Sequence, residues 1–260
     1  METHFQYKTE QFADIQILRY QVPGFSGLSL QEKRLAYYLS QAAYWGRDIF
    51  YDQNYKHNLL LRKVLETLHL HLPEAGTVSL LLKQLWVANG LHHHYATQKF
   101  VPKFSKTDFA GYIQGIPAQE WLARTGLGPG QIKETLTPVL FGPQKDARRV
   151  CLDTRKDMVQ HSACNFYEGV TQSEAEAFYE ALAAEAGNEP PSFGLNTRLV
   201  KRNGKVQEQV ISARSLYAPA IQKMLPWLEK AAGQALNPNQ EKALRLLIQY
   251  YETGDVRLFD

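Results

Sequence analysis

Apolar side chains return every three or four residues through most of this chain, a spacing that predicts helices. Ser29 and Glu32 form a capping box. Behind them Leu35, Tyr38, Leu39 and Ala42 share one stripe, followed by Ala43, Ile49 and Phe50 as the face rotates. A second helix is predicted over about 58–71, with Leu61, Val64, Leu65 and Leu68 inward and Pro73 as its stop. A third covers about 78–88 through Leu81, Leu82, Leu85 and Trp86. Between 103 and 145 the pattern loosens, and only short helices at 118–124 and 130–136 fit it. Thr171 and Glu174 make another capping box, and the helix they open faces inward through Ala175, Phe178, Tyr179 and Leu182.

Two helices are predicted near the end. One, about 217–235, carries Ile221, Met224, Leu225, Leu228 and Ala232, and Pro226 inside it should kink it. The other takes Asn237 as cap and Pro238 at its first position, and stops at Gly254. Period-two alternation marks residues 12–22 as one strand. Residues 195–211 read as a β-hairpin, because Asn203-Gly204 supplies the positive φ angles of a two-residue turn.

Composition narrows the classes. The chain has 260 residues, 44% hydrophobic, with a formal net charge of +3. Lys and Arg are scattered, which argues against a nucleic-acid partner. No window reaches the roughly 18 apolar residues of a membrane span, so no membrane role is expected and a cytoplasmic location is. A signal sequence removed by processing would leave no trace. Cys151 and Cys164 are too few for a disulfide framework, and reduced thiols are expected.

The most metal-like stretch is His92-His93-His94, followed by Tyr95. Two histidines on one helix face need a spacing of three or four, and no histidine here is followed by glutamate. Adjacent histidines splay around a helix; on a strand only His92 and His94 share a face. Packing and hydrogen bonding are therefore the expected roles, with His69 and His71 ending a helix. The glycines at 126–130 lack the flanking strand and Lys-Ser/Thr of a phosphate loop. There is no Gly-x-Ser-x-Gly elbow, and Cys164, three residues after His161, reads as a packed thiol. Glu174, Glu176 and Glu180 read as a solvated helix face. The residues alone show no active site.

Several stretches, in this order, carry a family resemblance: FADIQILRYQVPGF at 12–25, LAYYLSQAAYWGRDI, NGLHHHYATQKFVP, SACNFYEGVTQSEAEAFY at 162–179, GLNTRLVKRNGKVQEQV at 194–210, LYAPAIQKMLPWLEKA and NQEKALRLLIQYYETGD. From Gln11 onward the chain resembles the zinc exopeptidases called dipeptidyl peptidase III, bacterial members above all. The resemblance implies an α+β fold, mainly helical with a small antiparallel β-barrel-like core, in which residues 1–260 form one N-terminal, lower-lobe domain. Family members remove dipeptides from peptide N-termini with zinc held by His-Glu-x-x-Gly-His and a later glutamate. Both motifs are missing between 1 and 260, so no catalytic or metal residue is expected here. Zinc belongs to the complete enzyme, and the expected partners are short peptides and a zinc-bearing C-terminal lobe. His94 and Tyr95 match the family's cleft-lining segment and are the expected substrate-binding residues. Ala96 replaces the family's usual glycine, and 211–216 departs from its usual Trp-Lys-Val-Gly-Gly.

The expected function is a peptide-binding lobe, inactive alone, of such a metallopeptidase. The alternative is a naturally short, non-catalytic peptide-binding or scaffold protein derived from the family; a third and weaker idea is a stand-alone metalloprotein using His92–His94. A reading frame continuing past Asp260 into the zinc motif would favour the first. A chain cut there should expose apolar surface and self-associate weakly.

Overall fold

The computed structural model describes residues 5–260. Local capping chemistry sets several helix starts. Ser29 opens α1 (Leu30–Asn54): its hydroxyl accepts the Glu32 N–H at 3.2 Å and the Glu32 carboxylate accepts the Ser29 N–H at 2.7 Å. Next come α2 (Asn58–His71), α3 (Gly76–Ala88), α4 (Lys106–Gln114), α5 (Ala118–Thr125) and α6 (Pro129–Phe141). Their inward faces meet in the main core, where Leu61, Leu65, Leu85, Phe109, Trp121 and Ile132 have no exposed surface. Trp121 is buried without a polar penalty because its indole N–H donates to the Ile113 carbonyl at 2.9 Å.

Farther along lie α7 (Gln172–Ala186), α8 (Ala218–Ala232) and α9 (Pro238–Thr253). The last two pack against α1 through Ala42, Leu228, Ala232 and Ile248. Gly46 lets α8 come close: a Cβ there would sit 3.1 Å from the Met224 sulfur. α8 continues through Pro226. The predicted α1 stripe is only partly right. Leu35 and Ala42 are buried, whereas Leu39 and especially Phe50 reach solvent, because α8 covers one narrow side of a long helix.

The strands correct two expectations. Residues 12–22 are not one strand: β1 (Lys8–Phe12) turns at Ala13-Asp14 into antiparallel β2 (Ile15–Leu18). Alternation runs through this turn unbroken, and Ala13, at φ 48°, is not a residue that announces a left-handed position. The barrel-like core is not closed either. Among the described residues the strands form two open sheets, β1–β2 and β3–β4–β5, where β3 is Tyr167–Glu168, β4 Thr197–Arg202 and β5 Lys205–Val210. Closure requires every strand to be paired on both sides, and β3 is only two residues long. β3 pairs with β4 in parallel, and β4 and β5 make the Asn203-Gly204 hairpin as predicted, with φ of 51° and 78°. No helix among the described residues is long and apolar enough to cross a membrane.

Candidate functional site

The histidine run leaves the end of α3 through a fixed corner. Asn89 adopts a left-handed conformation at φ 51°, and Gly90 follows at φ 153°. Buried Asn58, at the start of α2, fills the space beside Gly90. Its amide donates to the Tyr51 carbonyl at 2.9 Å and its carbonyl accepts the Leu91 N–H at 3.0 Å. The backbone can pass only because Gly90 lacks a Cβ, which would lie 2.1 Å from the Asn58 Nδ2.

Residues 91–100 then form an irregular hairpin. His93 N–H donates to the Gln98 carbonyl at 2.8 Å, Thr97 N–H to the His93 carbonyl at 2.9 Å, and Phe100 N–H to the Leu91 carbonyl at 2.9 Å. Segment 147–149 adds a third strand-like edge, with Lys99 N–H donating to Ala147 and Arg149 N–H to Thr97. Lys99 anchors the base: its ammonium donates to the carbonyls of Val139, Gly142 and Lys145, gathering the last turn of α6 and the chain after it. Burial lowers its pKa, with Asp146 opposing that shift.

Each histidine has a separate task. His92 is 2% exposed, and its Nε2 lies 2.7 Å from the Asp146 carbonyl. A carbonyl only accepts, so Nε2 carries a proton, and the Nδ1 is buried without a partner, a setting that favours the neutral ring. Burial pushes its pKa down. The Asp146 carboxylate accepts the Tyr55 hydroxyl at 2.6 Å, and the Tyr55 ring meets His92 edge-on. His93 Nδ1 accepts the N–H groups of Tyr95 and Ala96 at 3.1 and 3.0 Å, which shapes the tip. His94 stacks on His93 with ring centres 4.6 Å apart, and its carbonyl accepts from Arg149 at 3.2 Å. Tyr95 stands at the tip, 85% exposed.

These bonds occupy several of the ring nitrogens. Among the described residues no three His, Cys, Asp or Glu side chains are grouped to hold an ion. His92 donates from one nitrogen, and His93 Nδ1 is already accepting two amides. His69 pairs with Ser79 at 2.9 Å and His71 with Glu120 at 2.8 Å. Among the described residues these histidines are not arranged as a zinc site. Cys151 and Cys164 are both free, and burial pushes the Cys164 thiol up, the opposite of nucleophile activation. Glu174 caps α7 and pairs with Lys201 at 2.5 Å, and Glu176 accepts from Gln172 at 2.8 Å.

Beside Tyr95 a groove of about 810 Å³ runs between the hairpin tip and the 144–161 segment. Its walls include Thr97, Lys145, Arg148, Leu152, Lys156 and His161. Asp146 and Gln160 also line a second hollow of about 520 Å³ that leads past Cys164 toward Arg198. Of the two residues expected to bind substrate, Tyr95 lines the first groove, while His94 lies behind it as ring support. The 144–161 wall was not legible as a site, because it has no hydrophobic period and no motif. Its one sequence signal was the Lys145-Asp146-Ala147-Arg148-Arg149 run.

No family model matches the chain, and no curated protein matches it. Among solved structures it is similar to DPP III from Caldithrix abyssi, with a TM-score of 0.50 over 89% of this chain at 19% identity. The fold is DPP III-like. The match covers 32% of that protein, so this chain spans about a third of the relative's length.

Proposed function

We propose that this chain is the peptide-binding lobe of a DPP III-like zinc metallopeptidase, one that removes dipeptides from peptide N-termini when its zinc-bearing lobe is present. The observation that carries this reading is the groove beside Tyr95 in a chain whose fold is DPP III-like over 89% of its length. The groove has the volume of a small-ligand site. A side chain held on a hydrogen-bonded hairpin tip offers a peptide an aromatic face at little cost in ordering. His93 sets the backbone of the tip, His94 backs the Tyr95 ring, and Arg149 ties the His94 carbonyl to Asn54 on α1. Zinc and its hydrolytic chemistry would belong to the other lobe; the residues here bind and orient.

Two measurements test this. A labelled pentapeptide with a free N-terminus should bind the purified chain by fluorescence anisotropy. Tyr95→Ala should weaken that binding about ten-fold while leaving the far-ultraviolet spectrum and Tm unchanged, since the ring is exposed. Absence of binding at millimolar peptide would remove the reading. The chain alone should not turn over dipeptidyl arylamides; turnover with stoichiometric zinc would show that a lobe-only role is wrong.

A further inference from the structure

The charges around the groove are distributed unevenly. Its walls carry two carboxylates, Asp146 and Asp153, and three cations, Lys145, Arg148 and Lys156. Both carboxylates are already engaged. Asp146 accepts the Tyr55 hydroxyl, and Asp153 is held by Arg155 through contacts of 2.9 and 3.1 Å. None of the three cations forms an ion pair among the described residues. Arg148 spends one N–H on the Ala96 carbonyl at 3.2 Å. Lys145 and Lys156 are exposed and have no side-chain hydrogen bond among the described residues.

Two further cations stand behind this surface. Arg149 is partly buried and bonded only to neutral acceptors, Asn54 Oδ1 at 3.1 Å and the His94 carbonyl, and its Nε is buried without a partner. Lys99 is bonded to three carbonyls. Lys99 has the Asp146 carboxylate nearby, whereas Arg149 has no acid in hydrogen-bond contact, and the field of a partly buried charge reaches into the neighbouring low-dielectric cleft. On the far wall, His161 Nδ1 lies 2.9 Å from the Asp157 carbonyl and so donates to it, while the Asp157 carboxylate is taken by the N–H groups of Gln160 and Gln172. The groove thus carries three cations against two carboxylates, and among the described residues none of the three is in an ion pair with either acid.

The geometry points to acidic peptides as the preferred ligands of this groove, with a peptide carboxylate held by Arg148, Lys145 and Lys156 next to the Tyr95 ring. This inference rests on the peptide-binding reading and sharpens it to a substrate class. The carboxylate belongs to a Glu or Asp side chain, or to the C-terminus of a short peptide.

The test uses the peptide Ala-Leu-Glu-Ala-Glu-Ala and its counterpart with both glutamates replaced by glutamine, each as free acid and as C-terminal amide. Calorimetric titration at about 50 mM and about 500 mM salt reads the affinity of all four. The acidic peptide should bind about ten-fold more tightly than its glutamine counterpart at low salt and lose most of that advantage at high salt. If the advantage instead follows the free acid over the amide, the carboxylate recognised is the C-terminal one. The double variant Lys145→Glu/Lys156→Glu, altering exposed side chains only, should abolish or invert the preference, and Arg148→Gln should reduce it. Equal affinity for all four peptides overturns this inference and leaves the peptide-binding reading intact. Binding of none removes both. A preference unchanged in the double variant and in Arg148→Gln also overturns it.

Discussion

Gly90→Ala is expected to destabilise the protein by about 3 kcal/mol, lowering Tm by roughly 6–12 °C. Two effects add. Alanine is strained at φ 153°, and its Cβ would sit 2.1 Å from the Asn58 Nδ2. Asn58 has no exposed surface and cannot swing into water. Moving it breaks its bonds to the Tyr51 carbonyl and the Leu91 N–H, and each stranded buried group costs about 1–3 kcal/mol. Asn58→Ala should itself be strongly destabilising for the same reason. Combining it with Gly90→Ala removes the clash, so the double variant should lose at least about 1 kcal/mol less than the sum of the singles. Denaturant titration of the four proteins measures this, and strict additivity would show that the two side chains do not meet. Because this corner aims the hairpin, Gly90→Ala should also weaken peptide binding at temperatures where the chain remains folded.

Acid should destabilise the protein well before its carboxylates titrate. His92 and His57 both have pKa values lowered from the usual 6.5, with burial as the leading cause. Around His92, Lys99 and Arg149 reinforce the shift; the hydrogen bond to the Asp146 carbonyl and the Asp146 carboxylate oppose it. Around His57, Lys56 and Lys145 reinforce it and Asp146 again opposes. The folded state therefore binds fewer protons than the unfolded chain just below pH 6.5. Stability is complete above that value and falls as pH drops toward each folded-state pKa. The slope approaches about 1.4 kcal/mol per pH unit for each such histidine. Carboxylates such as Glu120 and Glu168, held low by His71 and by Arg202, add their loss only near and below pH 4.5. Unfolding titrations between about pH 7 and pH 5 should thus report the histidines. His92→Gln keeps an N–H for the Asp146 carbonyl and should flatten the slope by about one proton's worth; an unchanged slope would place the titration elsewhere.

Most helices were legible because their ends are local contests. Ser29 with Glu32, Thr171 with Glu174, Asn237 with Pro238, and Gly254 each settle a terminus by bonds spanning three or four residues. The same holds for the turn at Asn203-Gly204. α4 was missed although Ser105 and Asp108 make a capping box there, because the apolar spacing after it, Phe109 and Ile113, is a single pair. The site was legible in name only. Tyr95 does line a groove, but the wall opposite it comes from residues about fifty positions later that have no periodic pattern.

The sequence by itself determined where α1, α7 and α9 begin, where the β4–β5 hairpin turns, and that the adjacent histidines could not share a helix face. Only the tertiary structure decided that the strands stay in two open sheets and that Phe50 faces outward. It alone made His92 a buried donor and left the groove's cations unpaired. The physical reason is range: capping and turn bonds close within a few residues, whereas burial and charge pairing depend on which distant segment arrives alongside.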